Sequence, residues 1–224
     1  MNGHVKSMNF QQRAETAATL LCFLLLLAVD STKTVAAARN RECSSDLERT
    51  LRLTKLIHRQ TGVLIKTYKA FQGEMGPGVC KATGFDVPDP NISGLEPSER
   101  MASMYTHLQA FSSHLKRVQE QQTDLQLPGS IVLRKINESR VQNKRLSSSI
   151  NSLYHTFFPN LPLPEPAGGP TTLPPPQTVF QQKIYGCVVL TTYKVFLANM
   201  SKNVKTLKSK MCRKAPKSTS NSGR

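Results

Sequence analysis

The chain has 224 residues, and its 30 lysine and arginine residues outnumber 14 aspartate and glutamate residues, giving a formal net charge of +16 at pH 7. Residues 39–224 are numerous enough to bury a sizeable core as one domain. So strong a positive balance predicts attraction to polyanions, and so few acidic residues leave few candidates for general acids or bases.

Residues 1–38 have the features of a secretory signal. Basic residues precede an apolar core at residues 17–29, and a run of three alanines that ends at Ala38 offers a cleavage site. The core covers 13 residues, whereas a membrane-spanning helix needs roughly 20. We therefore predict that residues 1–38 are removed and that the mature chain is secreted without membrane insertion; the alternative is a type II membrane anchor.

The rest of the chain shows four segments with the apolar spacing of amphipathic helices, at alternating steps of three and four residues. We predict a helix for each segment, and we expect the apolar rows to form a bundle core. The segments run from about Ser45 to Phe71 (A), from Pro97 to Leu125 (B), from Ser130 to about Phe158 (C) and from Thr178 to about Met211 (D).

Capping residues support these boundaries. Ser44 or Ser45 can cap segment A, with Glu48 in the capping-box position. Pro97 suits the first position of segment B, since its missing N–H is not needed there. Thr178 follows a run of prolines and can cap segment D with its hydroxyl group.

The connections between segments predict the topology. Segments A and B are separated by 25 residues, and the link from C to D contains eight prolines in residues 159–176, whereas only residues 126–129 join B to C. A short link forces antiparallel neighbours and a long one permits parallel neighbours. The sequence therefore predicts an all-α, long-chain four-helix bundle with up-up-down-down topology in residues 39–211, followed by a basic, disordered tail at 212–224.

Four cysteines remain after the predicted signal is removed, an even number that suggests two disulfides in an oxidising compartment. They allow three pairings. The predicted topology brings Cys80, just after A, near Cys187 in D, and Cys43, just before A, near Cys212 at the end of D. We predict these two pairs; the alternative for Cys43 and Cys212 is that they stay free or pair between chains.

No arrangement of residues in the sequence indicates catalysis. There is no Gly-rich phosphate loop, no Gly-x-Ser-x-Gly motif and no histidine paired with carboxylates at helical spacing. The histidines are scattered singly, and no Cys-x-x-Cys spacing suggests zinc. We predict a protein that is not an enzyme and that needs neither a metal nor a cofactor.

The start of segment D combines an aromatic residue with a lysine. It reads Val179-Phe180-Gln181-Gln182-Lys183-Ile184-Tyr185-Gly186-Cys187, and Phe180 and Lys183 share a helix face. From the residues alone, Phe180 either contacts another protein or packs on the bundle as an N-terminal staple, with Lys183 solvated. The pattern Phe-Gln-x-Lys-x-x-Gly-Cys resembles the leukaemia inhibitory factor and oncostatin M branch of the interleukin-6-type cytokines.

A second motif supports this resemblance. Tyr68-Lys69-Ala70-Phe71-Gln72-Gly73-Glu74, followed by Cys80, is similar to the end of the first helix in that branch. The Cys80–Cys187 pair corresponds to a bridge of the family. The Cys43–Cys212 pair departs from it, because in the family the cysteine before the first helix usually pairs with one in the third helix, and segment C has none.

The resemblance implies a cytokine that brings together two class I receptor chains and activates JAK/STAT signalling in growth, differentiation and immune response. Phe180 and Lys183 match the pair with which the branch engages a leukaemia-inhibitory-factor- or oncostatin-type receptor. The exposed faces of the first and third helices contact the shared, glycoprotein-130-like transducer in the family. For that surface this chain offers Arg52, Lys55, Arg59, Arg145 and Ser149.

Three Asn-x-Ser sequons make the chain a predicted glycoprotein, at Asn91, Asn137 and Asn199, of which Asn91 lies in the long A–B connection. The basic charge is densest toward the C-terminus and suggests cell-surface or matrix glycosaminoglycan, rather than nucleic acid, as a further partner. A second hypothesis is therefore a basic secreted helical protein that acts by glycosaminoglycan or matrix binding. Under either hypothesis we expect a monomer.

Overall fold

The computed structural model describes residues 8–73, 75–76, 78–163 and 177–212, which form four α-helices and a short 3-10 helix at Val79–Lys81 without a β-strand. None of these helices combines the length and the apolar character needed to cross a membrane. Residues 164–176 of the predicted proline-rich connection and residues 213–224 of the predicted tail lie outside this part of the chain, as do residues 1–7 of the predicted signal. The α-helices are α1 (Met8–Phe71), α2 (Pro97–Leu125), α3 (Ile131–Phe157) and α4 (Val179–Met211).

Helix α1 begins far earlier than the spacing of segment A predicted. Ser44 and Ser45 lie inside the helix, so the predicted N-cap is wrong. Neither glycine nor proline occurs between residues 8 and 61, and a sequence rich in alanine and leucine favours the helix throughout. The carboxylate of Glu48 accepts a hydrogen bond from Lys208 Nζ on α4, at 2.6 Å, instead of completing a capping box.

The other three helices begin where the sequence predicted. Pro97 occupies the first helical position of α2. Ser130 Oγ accepts from the Leu133 backbone N–H in α3, at 3.5 Å. In α4, Thr178 Oγ1 accepts from Gln181 N at 3.2 Å while Gln181 Oε1 accepts from Thr178 N at 2.9 Å, which is a complete capping box.

Contacts between helices define their directions. The end of α1 meets the start of α4, where Lys183 Nζ donates to the Gln72 carbonyl at 3.2 Å, and Glu48 meets Lys208 near the other end. These two helices are therefore antiparallel. Helices α2 and α4 are also antiparallel, since His107 stacks on Phe196 and His114 lies against Tyr185.

Helices α1 and α2 therefore run in one direction and α4 in the other. The link at residues 126–130 returns α3 antiparallel to α2, so that α3 runs with α4. This is the predicted up-up-down-down arrangement, and the all-α bundle is confirmed.

The core of the bundle is built mainly on the predicted apolar rows, and the residues at the C-terminal ends of these rows are less buried. Phe111, Tyr193 and Phe196 form an aromatic cluster between α2 and α4, with ring centroids of Phe111 5.2 Å from each of the other two. Phe71 was placed on the row of segment A, but it is 44% exposed, and Gln72 is buried in its place.

The chain divides into two units. Ser45–Met211 contains the bundle and the disulfide Cys80–Cys187, whose Cα atoms are 5.0 Å apart. The other unit consists of Met1–Ser44 and Cys212–Arg224, and its two segments are joined by the disulfide Cys43–Cys212, with Cα atoms 5.8 Å apart. The structure thus contains both predicted pairs.

Removing the inner disulfide by the paired change Cys80→Ser and Cys187→Ser tests its contribution. The bond joins residues 107 positions apart. Restricting a loop of that length in the unfolded chain stabilises the fold by about 5 kcal/mol. We expect a loss of that order in the free energy of unfolding, measured by urea denaturation. A loss below about 1 kcal/mol would mean that the unfolded chain is already compact near these residues.

Candidate functional site

The first turn of α4 exposes an aromatic side chain to solvent. Phe180 is 67% exposed and Val179 is 53% exposed. The capping box fixes the backbone of this turn, since Thr178 and Gln181 bond to one another's backbone N–H groups. Phe180 is therefore not packed as a staple against the bundle, and its ring stands on an ordered turn.

Lys183, on the same face as Phe180, has an intramolecular partner. Its ammonium donates to the Gln72 carbonyl, 3.2 Å away, just past the end of α1. Carbonyls at the C-terminus of a helix lack intrahelical donors and carry the negative end of the helix dipole, so a cation stabilises them. An ammonium has three N–H groups, so this bond leaves others for a further acceptor.

A buried polar network of Tyr68, Gln72, Gln122 and Lys183 holds this end of the bundle together. Tyr68 Oη donates to the backbone carbonyl of Lys183 at 3.1 Å and accepts from Gln122 Nε2 at 3.0 Å. Gln122 Oε1 accepts from Gln72 Nε2 at 2.5 Å. Burial raises the pKa of Tyr68, so its hydroxyl stays protonated and can donate. The network joins α1, α2 and α4 directly beneath the turn that carries Phe180.

Gly186 lets Tyr68 reach α4. A Cβ atom added at Gly186 would overlap the Tyr68 hydroxyl and ring. Any other residue at this position would push Tyr68 away from the Lys183 carbonyl. Gly186 belongs to the sequence motif, but the reason for a glycine there becomes evident only with the packing of Tyr68.

Next to this network, Tyr185 on α4 contacts His114 and Arg117 on α2. The Tyr185 hydroxyl lies 2.7 Å from His114 Nδ1, and the guanidinium of Arg117 lies over the Tyr185 ring, 4.7 Å from its centroid. Burial raises the pKa of Tyr185 to about 12. Burial also lowers the pKa of His114, against an opposing effect of Asp86 and with a smaller lowering by Arg117. Phe85, from the connection stapled by Cys80–Cys187, packs on the same tyrosine at 6.0 Å.

The surface predicted on the first and third helices is placed as follows. Arg52, Lys55 and Arg59 are exposed on α1, and Arg145 is exposed on α3. Ser149 is half-buried, and its hydroxyl lies 2.8 Å from that of Thr50, so it belongs to the contact between the helices. The exposed side chains thus flank the α1–α3 seam, while Ser149 lies within it.

A cavity of about 160 Å³ lies in that seam and was not predicted. Val63, 51% exposed, borders it, and the buried hydroxyl of Ser139 has no hydrogen-bond partner. The sequence contains only a weak indication of this cavity, because Val63 is a single apolar residue outside the apolar row of segment A. The cavity is lined by Ile57, Gln60, Val63, Leu64, Lys135, Glu138 and Ser139.

The three predicted glycosylation sites differ in accessibility. Asn91 is exposed in the long connection, and Asn137 is exposed on α3. Asn199 is half-buried on α4, and its Nδ2 donates to the Pro90 carbonyl at 3.1 Å. A glycan on Asn199 would have to break that contact.

Two comparisons with known proteins bear on this arrangement. The sequence model of the LIF / OSM family matches residues 47–204, which extend from the bundle part of α1 to the last turns of α4. A search of curated proteins found no significant match. The bundle and the family match define a helical cytokine of the interleukin-6 type. The chain belongs to the LIF / OSM family, whose members are secreted signalling ligands of class I cytokine receptors and not enzymes.

The change Gly186→Ala tests the close approach of Tyr68. Alanine ordinarily stabilises a helix interior relative to glycine by about 1 kcal/mol, but here the added methyl group displaces Tyr68. We expect the free energy of unfolding to fall by about 1 to 3 kcal/mol, as in other overpacked sites. Gly62→Ala is the matched control, since a Cβ there meets only the end of the Lys194 side chain at 3.5 Å. Equal or higher stability for both variants would contradict the packing argument.

The change His114→Gln tests the lowered pKa of His114 beside Tyr185. The pKa of His114 is lowered in the folded state, so the unfolded chain takes up the proton first as the pH falls below about 6.5. The wild-type protein should therefore lose more unfolding free energy between pH 7 and 5 than the variant. Chemical denaturation at several pH values measures this difference. Parallel pH profiles would show that His114 titrates alike in both states.

Proposed function

We propose that the chain is a secreted cytokine that brings together a LIF- or oncostatin-type receptor chain and a glycoprotein-130-like transducer, and so activates JAK/STAT signalling. The exposure of Phe180 on the capped first turn of α4 carries this proposal. Within this function, residues 1–38 act as the signal peptide and residues 39–211 as the active domain, which works as a monomer.

The start of α4 has the properties of an interface hot spot. Such sites centre on an aromatic side chain that becomes buried when the partner binds. Its truncation to alanine costs about 2 kcal/mol or more of binding free energy. Phe180 presents such a ring, and the polar network beneath it limits the conformational freedom that a receptor would have to remove on binding. Lys183 adds a cation beside the ring, with N–H groups left for a receptor carboxylate.

The α1–α3 seam supports the second half of the proposal. Its cavity is bordered by the exposed side chain of Val63 on α1 and by Lys135 and Glu138 on α3. The recess combines apolar side chains with polar and charged ones, so it can receive a partner side chain and also bond to it. We infer that the transducer places a side chain in this recess, with Arg52, Lys55 and Arg59 at the rim. Glycans at Asn91 or Asn137 would mark faces that stay free of receptor.

The change Phe180→Ala tests the receptor contact at α4. We expect STAT phosphorylation in cells bearing the receptor pair to be lost, with helicity and unfolding free energy close to those of the wild type, because an exposed ring contributes little to folding. Val195→Ala is the control, since Val195 is a 45% exposed apolar residue farther along the same helix.

The outcomes of this experiment separate the functional hypotheses. Signalling that survives Phe180→Ala unchanged would move the receptor contact elsewhere on the bundle. Absence of signalling from the wild-type protein, across cells with the relevant receptor pairs, would favour the hypothesis of a basic secreted protein that works by matrix binding alone.

A further inference from the structure

One face of the bundle, along α1 and α4, collects cations around a single carboxylate. We call the basic face the set of Arg52 and Lys55 on α1 and Lys194, Lys202, Lys205 and Lys208 on α4. Helix α4 contains no aspartate or glutamate, and α1 contains none after Glu48. The positive charge of this face is therefore not offset along either helix.

Three of the four lysines that α4 contributes to the basic face lie in one row beside α1, and Lys202 lies next to that row. Lys194, Ala198, Ser201, Lys205 and Lys208 recur at steps of four, three, four and three, which places them on one side of the helix. The row from Lys194 to Lys208 is about 21 Å long at the helical rise of 1.5 Å per residue.

Contacts at both ends of the row fix it against α1. Lys208 Nζ bonds to Glu48 on α1 at 2.6 Å. At the other end, the Lys194 side chain passes over Gly62, where an added Cβ would lie 3.5 Å from its Nζ. Burial lowers the pKa of the neighbouring His58, and the charge of Lys194 lowers it further. The cations of α1 and α4 thus share one surface.

Five of the six cations of the basic face lack a carboxylate partner. Within the part of the chain that the structure describes, the ion pairs are Lys208–Glu48 and Lys116–Glu120. The hydrogen bond and charge of Lys208 lower the pKa of Glu48, with smaller effects of Arg52 and Lys55, so its carboxylate is ionised and already engaged. Arg52, Lys55, Lys202 and Lys205 are exposed to solvent.

We propose that the basic face binds a sulfated glycosaminoglycan chain. Unpaired cations on two neighbouring helices suit a linear polyanion with closely spaced charges, which relieves their mutual repulsion and releases condensed counterions. The residues between the lysines of the row are Ala198 and Ser201, which offer no large apolar side chain for insertion into a bilayer. The disulfides and the secreted family place the protein where such polysaccharides occur. The face would hold the cytokine at the cell surface without using Phe180.

Heparin binding by the mature full chain tests this proposal. The variant Lys202→Glu with Lys205→Glu reverses two exposed cations of the basic face, and Arg134→Glu with Lys144→Glu makes the same charge change at exposed positions of α3. We expect the first variant to elute from immobilised heparin at lower salt, with the slope of log affinity against log salt reduced by roughly one per lysine. The second should elute close to the wild type. Equal losses in both would show that net charge alone governs retention, which overturns the proposal.

The change Glu48→Gln adds a test in which binding is expected to increase, a result that misfolding would not produce. It removes the carboxylate of the face and frees Lys208, so heparin retention should increase. Unchanged or weaker retention would contradict the assignment. Deletion of residues 213–224 should lower retention less than the double reversal at Lys202 and Lys205; complete loss on deletion would assign the binding to the tail.

Two further measurements define the ligand class and separate this proposal from receptor binding. Phosphatidylserine vesicles and duplex DNA of matched charge should bind more weakly than heparin at physiological salt, and equal binding would overturn the specificity for sulfated polysaccharide. STAT phosphorylation in receptor-bearing cells that lack sulfated glycosaminoglycans should be the same for the wild type and the Lys202/Lys205 variant. Loss of signalling there would assign these lysines to a receptor contact instead.

Discussion

The hydroxyl of Tyr68 makes the contact on which the end of the bundle that carries Phe180 depends. It meets α4 at the Lys183 carbonyl and α2 at Gln122, and it fits only because Gly186 has no side chain. A buried hydroxyl group without hydrogen-bond partners destabilises a fold by several kcal/mol. The arrangement of the three helices that provides its partners is therefore favoured over the others. The position of the first turn of α4 is fixed by the same contacts. Phe180 can therefore be exposed and ordered at the same time.

The boundaries of three helices follow from local chemistry. Pro97, Ser130 and Thr178 each supply what a helix N-terminus needs, and the structure uses all three. Local chemistry also explains the failure at α1, since no glycine or proline interrupts the chain between Met8 and Ser45, and serine alone does not end a helix. The disulfides were predictable because the up-up-down-down topology decides which helix ends meet, and cysteines occur near those ends.

The polar network could not be predicted from local patterns, because its members lie far apart in sequence. Tyr68 and Lys183 are 115 positions apart, and Gln72 and Gln122 are 50 apart. The available signal was a glutamine at position 122 of an otherwise apolar row, since a polar residue on such a row indicates a buried hydrogen bond. The exchange of Phe71 for Gln72 at the end of α1 has the same origin: a step of three or four fits the row equally well, and the network selects Gln72.

The start of α4, the α1–α3 seam and the basic face differ in chemistry, and we place Arg52 and Lys55 both at the rim of the seam and in the basic face. The first surface offers an aromatic ring with a cation, and the second a recess lined by apolar and polar side chains. The third is a group of six cations, of which five lack a carboxylate partner within the described residues. Lys183 belongs to both the polar network and the first surface, because its ammonium already bonds to the end of α1. If the proposed receptor contact is correct, stability and recognition are coupled at Lys183, whereas Phe180 contributes to recognition and not to the core.

Hydrogen–deuterium exchange of the mature protein, with and without the purified ectodomain of a LIF-type receptor, would locate the receptor contact directly. The backbone N–H groups of Val179 and Phe180, at the first two positions of α4, have no acceptor four residues earlier in the helix, so they exchange rapidly in the free protein and report any covering of that turn. We predict that the receptor slows exchange in residues 179–184 and leaves the peptide around Val195 unchanged. Protection confined to other helices, with residues 179–184 exchanging as in the free protein, would contradict a receptor contact at the start of α4.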